Sequence, residues 1–274
     1  MIKKVGRLSF NEIKEIEIAV EKTYKKIKAK DKKKAEKLIS DISKNPNYFV
    51  REKIGELMAE FEDRDIFFPL MDKCLKNKTY GVRAAALIFY ANVYSKEPFK
   101  MIKIINGVYH KIPWETENII TNLWQKFPNE MKIGMQEWVK SDDIKKKLLA
   151  FQGIENVGTK DPNFVMEFLD DTIDEDDLNV QKKITHILTQ IARERPAEVY
   201  PYIREWLSQG TESRTKTLWV SMKKLSNIIA QRYRKNVSSD FVSLTEQTIL
   251  DWKNDPNEIV AKFGGKLQKI ISKH

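Results

Sequence analysis

Apolar residues recur along the chain at the three-to-four-residue spacing of amphipathic helices. In one clear case Ile184, Ile187, Leu188 and Ile191 fall on a single helical face. No segment gives a convincing strand pattern, and prolines lie where helices should begin or end. The pattern therefore predicts an all-α protein. The prolines at these joints are Pro46, Pro98, Pro113, Pro128, Pro162, Pro196 and Pro256.

The helical segments repeat as a pair: an apolar first helix, a short polar turn, and a partner helix that opens with a polar or basic residue. The first helices recur at intervals of roughly 31 to 35 residues. One pair cannot bury both of its apolar faces, so successive pairs must stack on a shared core. We therefore predict an α-solenoid of HEAT-like or ARM-like repeats. The first helices begin near Phe67, Phe99, Met131, Phe164 and Val199, and the partner helices near Val82, Glu117, Ile144, Val180 and Ser213.

The two ends of the chain differ from the repeats between them. We expect capping helices in residues 1–46, repeats in 47–236 and a C-terminal cap in 237–274, with a bend at Gly264–Gly265. Terminal repeats need a polar outer face, which both ends supply. Because no linker divides the chain, a single domain and a monomer are predicted.

The formal net charge is +10, which favours a polyanionic partner: nucleic acid first, then an acidic protein or anionic lipid. Much of the excess lies in Lys25 to Lys37, which is also compatible with a solvated helix that binds nothing. The sequence contains no run of 18 apolar residues, so no membrane span is predicted. The single cysteine, Cys74, has an apolar helical context and is expected to be a buried, inert thiol. A cytoplasmic location follows from these features.

A row of cations occupies equivalent positions near the start of successive partner helices. In a solenoid these positions align, so we predict a basic stripe on the concave face that binds the phosphates of duplex DNA. In the alternative, each arginine bonds to a carboxylate or turn carbonyl of a neighbouring repeat. The two readings are balanced for Arg51 and Arg83, whereas the C-terminal half favours anion binding. The row consists of Arg51, Arg83, Lys146, Lys183 and Arg214, thickened by Lys145, Lys182 and Lys216.

Trp114 interrupts this basic row. It follows Pro113 and precedes Glu115 and Glu117, so an aromatic side chain and acids replace the expected cation. Such an interruption marks a candidate specific site, although a capping acid pair beside a packed tryptophan is an equally good reading. The histidines are scattered, and no spacing of His, Cys or Asp predicts a metal site. Since no Gly-rich phosphate loop occurs either, no cofactor is predicted.

The order and spacing of the partner helices between about Arg51 and Lys224 resemble the HEAT-like DNA alkylation repair family, the AlkD-type DNA glycosylases. The resemblance implies a basic groove for duplex DNA and excision of positively charged alkylated purines. An aromatic cleft with a nearby carboxylate carries out that excision. The segments that carry the likeness are 114–119, 144–152, 180–184 with 195–199, and Ser213-Arg214.

The resemblance transfers onto this chain only position by position. Trp114 matches the family's cleft tryptophan, and Lys146 lies near its phosphate-binding arginine. His186 replaces the second cleft tryptophan, and Asn118 replaces the catalytic aspartate. A neutral amide cannot supply the negative charge that stabilises the sugar as the glycosidic bond breaks, and the adjacent Glu117 lies about 100° around the helix. We therefore carry two hypotheses: a DNA-binding repair protein with glycosylase activity open, or a non-catalytic scaffold for nucleic acid or an acidic protein.

Overall fold

The computed structural model describes residues 2–231 and 239–272, and every regular element in that part of the chain is a helix. This confirms the all-α prediction. In chain order the helices are α1 (Phe10–Lys28), α2 (Lys32–Ser43), α3 (Tyr48–Ala59), the 3-10 helix η1 (Arg64–Phe67), α4 (Phe68–Leu75), α5 (Tyr80–Val93), α6 (Pro98–Asn106), α7 (Pro113–Lys126), α8 (Pro128–Val139), α9 (Ile144–Ala150), α10 (Glu155–Gly158), α11 (Pro162–Asp170), α12 (Leu178–Glu194), α13 (Pro196–Ser208), α14 (Glu212–Ala230), α15 (Ser239–Lys253) and α16 (Glu258–Ile271).

Proline is the first residue of α6, α7, α8, α11 and α13. The fixed φ of proline suits the first helical position, where its missing N–H is not needed for an intrahelical bond. Side-chain caps reinforce several other starts: Asp177, for example, accepts from the backbone N–H groups of Asn179 and Val180 at 2.8 and 3.1 Å. The predicted helix starts therefore lie within a few residues of the observed ones, because these signals act locally.

The chain divides into two compact units, Met1–Ile119 and Ile120–His274. The division falls within α7, whereas the sequence predicts one domain divided into caps and repeats.

The core of the first unit is centred on α5, which is buried on nearly all sides. Its closest neighbour is α3, and the two helices meet at Gly55. A Cβ atom on Gly55 would lie 2.6 Å from Cγ2 of Ile88 and 2.7 Å from the backbone nitrogen of Phe89. Only glycine allows the two helices to approach this closely, so this pair of helices forms the rigid centre of the unit.

In the second unit α12 packs against both α9 and α14. Hydrogen bonds tie residues about one repeat apart: Lys183 Nζ donates to Gln152 Oε1 at 3.1 Å, and Gln181 Nε2 donates to Ser213 Oγ at 3.0 Å. Equivalent ends of successive partner helices therefore lie side by side. This register is consistent with an α-helical repeat fold.

The predicted bend at Gly264–Gly265 is wrong, because α16 runs without interruption through both glycines. Close packing explains the first of them. A Cβ atom on Gly264 would lie 2.5 Å from the backbone nitrogen of Lys253, so glycine lets α16 press against the end of α15. A true interruption occurs instead after α9, where Gly153 adopts φ +85°.

Candidate functional site

Arg51 does not present its guanidinium to solvent. The side chain lies in the first unit with 8% of its residue surface exposed, and Nη2 forms an ion pair with Glu115 Oε1 at 3.1 Å. Nη1 donates to the carbonyl of Pro46 at 3.0 Å. The Tyr80 hydroxyl donates to the other oxygen of Glu115, which is itself 1% exposed. These bonds are those of the structural alternative considered for Arg51.

Arg83, also in the first unit, is committed to backbone carbonyls. Its Nη1 donates to the carbonyls of Asn77 and Lys78 at 2.7 and 2.8 Å, and its Nη2 donates to the carbonyl of Lys111 at 3.0 Å. These bonds fasten the turns before α5 and α7, which is the structural alternative considered for this residue. Arg83 is half-buried, and these bonds use three of its five N–H donors.

Arg214 in the second unit forms a bidentate ion pair with Asp174. Its Nε lies 3.0 Å from Oδ1 and its Nη2 lies 2.5 Å from Oδ2. These hydrogen bonds lower the pKa of Asp174 from its ordinary value. In the same loop Glu175 pairs with Lys147. The C-terminal half, where anion binding is favoured, therefore also holds carboxylates, because the segment between α11 and α12 brings Asp174 to Arg214 and Glu175 to Lys147.

Several lysines of the row are more accessible to solvent than its arginines. Lys146 is half-buried, with its ammonium 5.2 Å from the centroid of the Trp138 ring. Lys182 and Lys216 are exposed. Lys145 is half-buried, and Lys183 donates to Gln152, as described above. The cations that the second unit offers to a ligand are chiefly Lys146, Lys182 and Lys216, near the first turns of α9, α12 and α14.

Trp114 lies open to solvent at the start of α7, with 46% of its surface exposed. The ring of Tyr48 meets it edge-on, with centroids 4.4 Å apart and an interplanar angle of 90°. Asn118, one turn further along α7, is also exposed, and Glu117 is half-buried. This helix start thus presents an indole and an amide on the surface. The neighbouring carboxylate, Glu115, points into the protein and is neutralised by Arg51.

His186 occupies an exposed position on α12 in the second unit. His110 is exposed in the first unit, with its ring 4.0 Å from that of Tyr109, and His274 lies outside the described residues. His186 thus belongs to the second unit, whereas Trp114, Glu117 and Asn118 belong to the first.

Sequence reasoning missed the side chains that decide this chemistry. Tyr48, Tyr80 and Asp174 were not candidates, yet they contact or neutralise Trp114, Arg51 and Arg214. Only Glu115 carried a signal, since it follows Trp114 directly. Within residues 2–231 and 239–272, no group of His, Cys, Asp and Glu side chains could hold a metal ion. Over the same residues no helix combines the length and hydropathy needed to cross a bilayer.

Comparisons with known proteins add little to this picture. No protein-family model matches the chain, and no curated protein matches it. A crystal structure of an engineered protein aligns with 93% of this chain and 96% of its own, at 14% identity and a TM-score of 0.25. A likeness of that quality supports no argument about fold or function. The geometry itself defines an all-helical protein whose packing is consistent with a helical repeat.

Proposed function

We propose that this protein is a HEAT-like helical-repeat protein that binds the phosphate backbone of nucleic acid, in the first instance duplex DNA. The observation that carries the proposal is the placement of Lys146, Lys182 and Lys216. They lie near the first turns of α9, α12 and α14, and α12 packs against both other helices. Three cations on neighbouring helix starts can each neutralise a phosphate and release a counterion.

The side-chain chemistry favours binding without sequence preference. Arginine can read guanine through two parallel hydrogen bonds. The guanidinium groups of Arg51, Arg83 and Arg214, however, already bond to carboxylates or carbonyls of the protein. The lysines that remain act as point charges and suit phosphates. The positive ends of the longer helices α12 and α14 add to the attraction. We therefore expect affinity that depends strongly on salt and weakly on base sequence.

A triple variant tests the proposal: Lys146→Gln, Lys182→Gln and Lys216→Gln. Its matched control removes three exposed lysines elsewhere, Lys126→Gln, Lys160→Gln and Lys253→Gln. Affinity for a fluorescein-labelled duplex is measured by anisotropy between about 50 and 200 mM salt. The slope of log affinity against log salt should become less negative by about 0.9 for each phosphate that is no longer neutralised. This change is expected in the Lys146/Lys182/Lys216 variant and not in its control. We call Lys146, Lys182 and Lys216 the lysine row. Equal effects of the two variants would reject the lysine row as the interface.

Base excision is a second candidate function, favoured by the open face of Trp114. An exposed indole beside Tyr48 offers a surface for an alkylated, positively charged base, as the resemblance to AlkD-type glycosylases implies. The chain departs from that family at Asn118, and Glu115 is committed to Arg51. Incubation with duplex carrying 7-methylguanine or 3-methyladenine measures release of free base. Without release from a duplex that the protein binds, the function is DNA binding without excision.

A scaffold for an acidic protein is the alternative to DNA. It predicts duplex binding that the Lys146/Lys182/Lys216 variant weakens no more than its control does, so the anisotropy experiment separates the two. Enhanced base release by Asn118→Asp, with no gain from Asn118→Ala, would additionally identify Asn118 as the position that limits excision.

A further inference from the structure

The densest positive charge of the protein lies at the α1–α2 turn of the first unit and not in the row of partner helices. Residues 25–37 contain eight lysines against two acids, which accounts for +6 of the formal net charge of +10. We call these residues the basic corner. Most of the excess positive charge of the chain therefore lies in residues that the lysine row does not include.

Three of the eight lysines are paired. Lys28 Nζ lies 2.9 Å from Asp63, Lys34 Nζ lies 3.3 Å from Asp31, and Lys25 Nζ lies 3.6 Å from Glu21. The other five form no ion pair with any carboxylate of the described residues, and all but the half-buried Lys26 are exposed. Those five are Lys26, Lys30, Lys32, Lys33 and Lys37.

The apex of the corner holds a lysine where glycine would fit better. Lys30 adopts φ +59° and is the only described residue other than glycine with a positive φ. Its N–H donates to the carbonyl of Ile27, and that of Asp31 donates to the carbonyl of Lys26, both at 2.9 Å. This is the helix-ending motif in which glycine is usual, because a Cβ is strained there. The chain thus keeps a charge at the tip of the turn at a cost in stability.

We propose that the basic corner is the principal phosphate-binding surface of the protein, with duplex DNA as its ligand. The proposal rests on the proposed function, but it places the largest share of the phosphate contacts in the first unit. Lys33 and Lys37 are one helical turn apart on α2, about 6 Å along its axis. A duplex carries a charge every 1.7 Å or so of its axis, so neighbouring lysines can each find a phosphate.

The surroundings of the corner argue against other ligands. No large apolar side chain between residues 22 and 37 is exposed, whereas a helix that lies in a bilayer interface buries such side chains. The cleft beside the corner, lined in part by Ile27, Ile66 and Leu70, has a volume of about 190 Å³. Ligand pockets are generally larger, at about 300 Å³ or more. A surface of solvated point charges instead suits an extended chain of phosphates.

The experiment compares the corner with the row. A corner variant, Lys30→Gln/Lys33→Gln/Lys37→Gln, is measured beside the row variant and the Lys126/Lys160/Lys253 control with the same duplex. The corner variant should weaken binding by more than about tenfold at about 50 mM salt and make the salt slope less negative by about 3. The row variant should change the affinity and the salt slope by less than the corner variant does.

Each remaining outcome decides between the two proposals. Binding that disappears only in the row variant overturns the corner and leaves the proposed function standing. Corner, row and control variants with equal affinity overturn both. Wild-type protein is also tested on vesicles of equal parts phosphatidylserine and phosphatidylcholine. Vesicle binding that the corner variant abolishes, without duplex binding, overturns the assignment to nucleic acid.

Single variants at Lys30 separate charge from folding. Lys30→Gly removes the ammonium but relieves the backbone, so it should make the salt slope less negative by about 0.9 without lowering the urea midpoint of unfolding. Lys30→Arg keeps the charge and should retain wild-type binding. A Lys30→Gly protein with unchanged affinity and slope would show that the apex does not touch phosphate.

Discussion

Arg51 Nη2 meets Glu115 Oε1 at 3.1 Å inside the first unit, and this ion pair ties the first turn of α3 to the first turn of α7. Both residues are buried, and Trp114, next to Glu115, stays exposed. The pair therefore fixes the start of α7 from below while the indole faces solvent. Arg51, for which the sequence left a phosphate-binding and a structural role open, is thus held in a structural contact.

Breaking that pair from one side should be costly. Arg51→Met or Glu115→Leu leaves a buried charge without its partner, and each should lower the free energy of unfolding by about 3–5 kcal/mol. The double variant should lose much less than the sum, as urea denaturation would measure. The exposed pair Lys100–Glu97 is the control, where Lys100→Met should cost no more than about 1 kcal/mol. Additive losses in the double variant would contradict the coupling.

The left-handed conformation of Lys30 gives a stability prediction that is independent of any ligand. Lys30→Gly should raise the free energy of unfolding by about 1 kcal/mol, because it removes the strain of a Cβ at φ +59°. Lys30→Ala, which keeps the strain, serves as the control and should leave stability nearly unchanged. A destabilised glycine variant in thermal or urea unfolding would mean that the turn is not strained.

Trp114 should contribute to binding an unpaired base. Stacking of one base on an aromatic ring is worth about 1–3 kcal/mol, so Trp114→Ala should remove that much preference for a duplex with a one-base bulge over a continuous duplex. Phe99→Ala is the matched control, because Phe99 is also in the first unit and 51% exposed. If both variants keep the wild-type preference, the indole is not a stacking platform.

The Arg214–Asp174 pair predicts a small dependence of stability on acid pH. The pKa of Asp174 is lowered in the folded state, so its stabilisation is complete above the ordinary carboxyl value of 3.8 and is lost as pH falls through the lowered pKa. The Asp174 side chain is 43% exposed, which limits the effect to less than about 1 kcal/mol. In Arg214→Gln this acid-dependent part of the unfolding free energy should shrink to what the Thr211 hydroxyl, which also donates to Asp174, contributes. A wild-type acid profile in that variant would contradict the pairing.

Cys74 should report unfolding through its reactivity. The thiol is buried, and burial is the main cause that raises its pKa to about 12. Very little thiolate therefore forms near neutral pH, and iodoacetamide should label the native protein hardly at all. Labelling should accelerate in urea along the same transition as the loss of helix by circular dichroism. Rapid labelling of the native protein would show that the region around α4 opens readily.

The positions of the helices were largely predictable from the chain itself. Pro98, Pro162 and Pro196 each begin a helix, as proline does wherever its fixed φ and missing N–H suit the first turn. Apolar periodicity along Ile184 to Ile191 likewise predicts the buried face of α12. The failure at Gly264 has a different origin, because the reason for that glycine is a neighbouring helix and not its own turn.

The sequence by itself determined the helical class, the helix starts and the total charge, because these depend on neighbours a few residues apart. The tertiary structure alone decided which cations remain available to a ligand. Asp174 reaches Arg214 from 40 residues away, and Glu115 reaches Arg51 from another helix. Ion pairing depends on distance in space, and no local pattern in the chain encodes which carboxylate will lie within reach of which guanidinium.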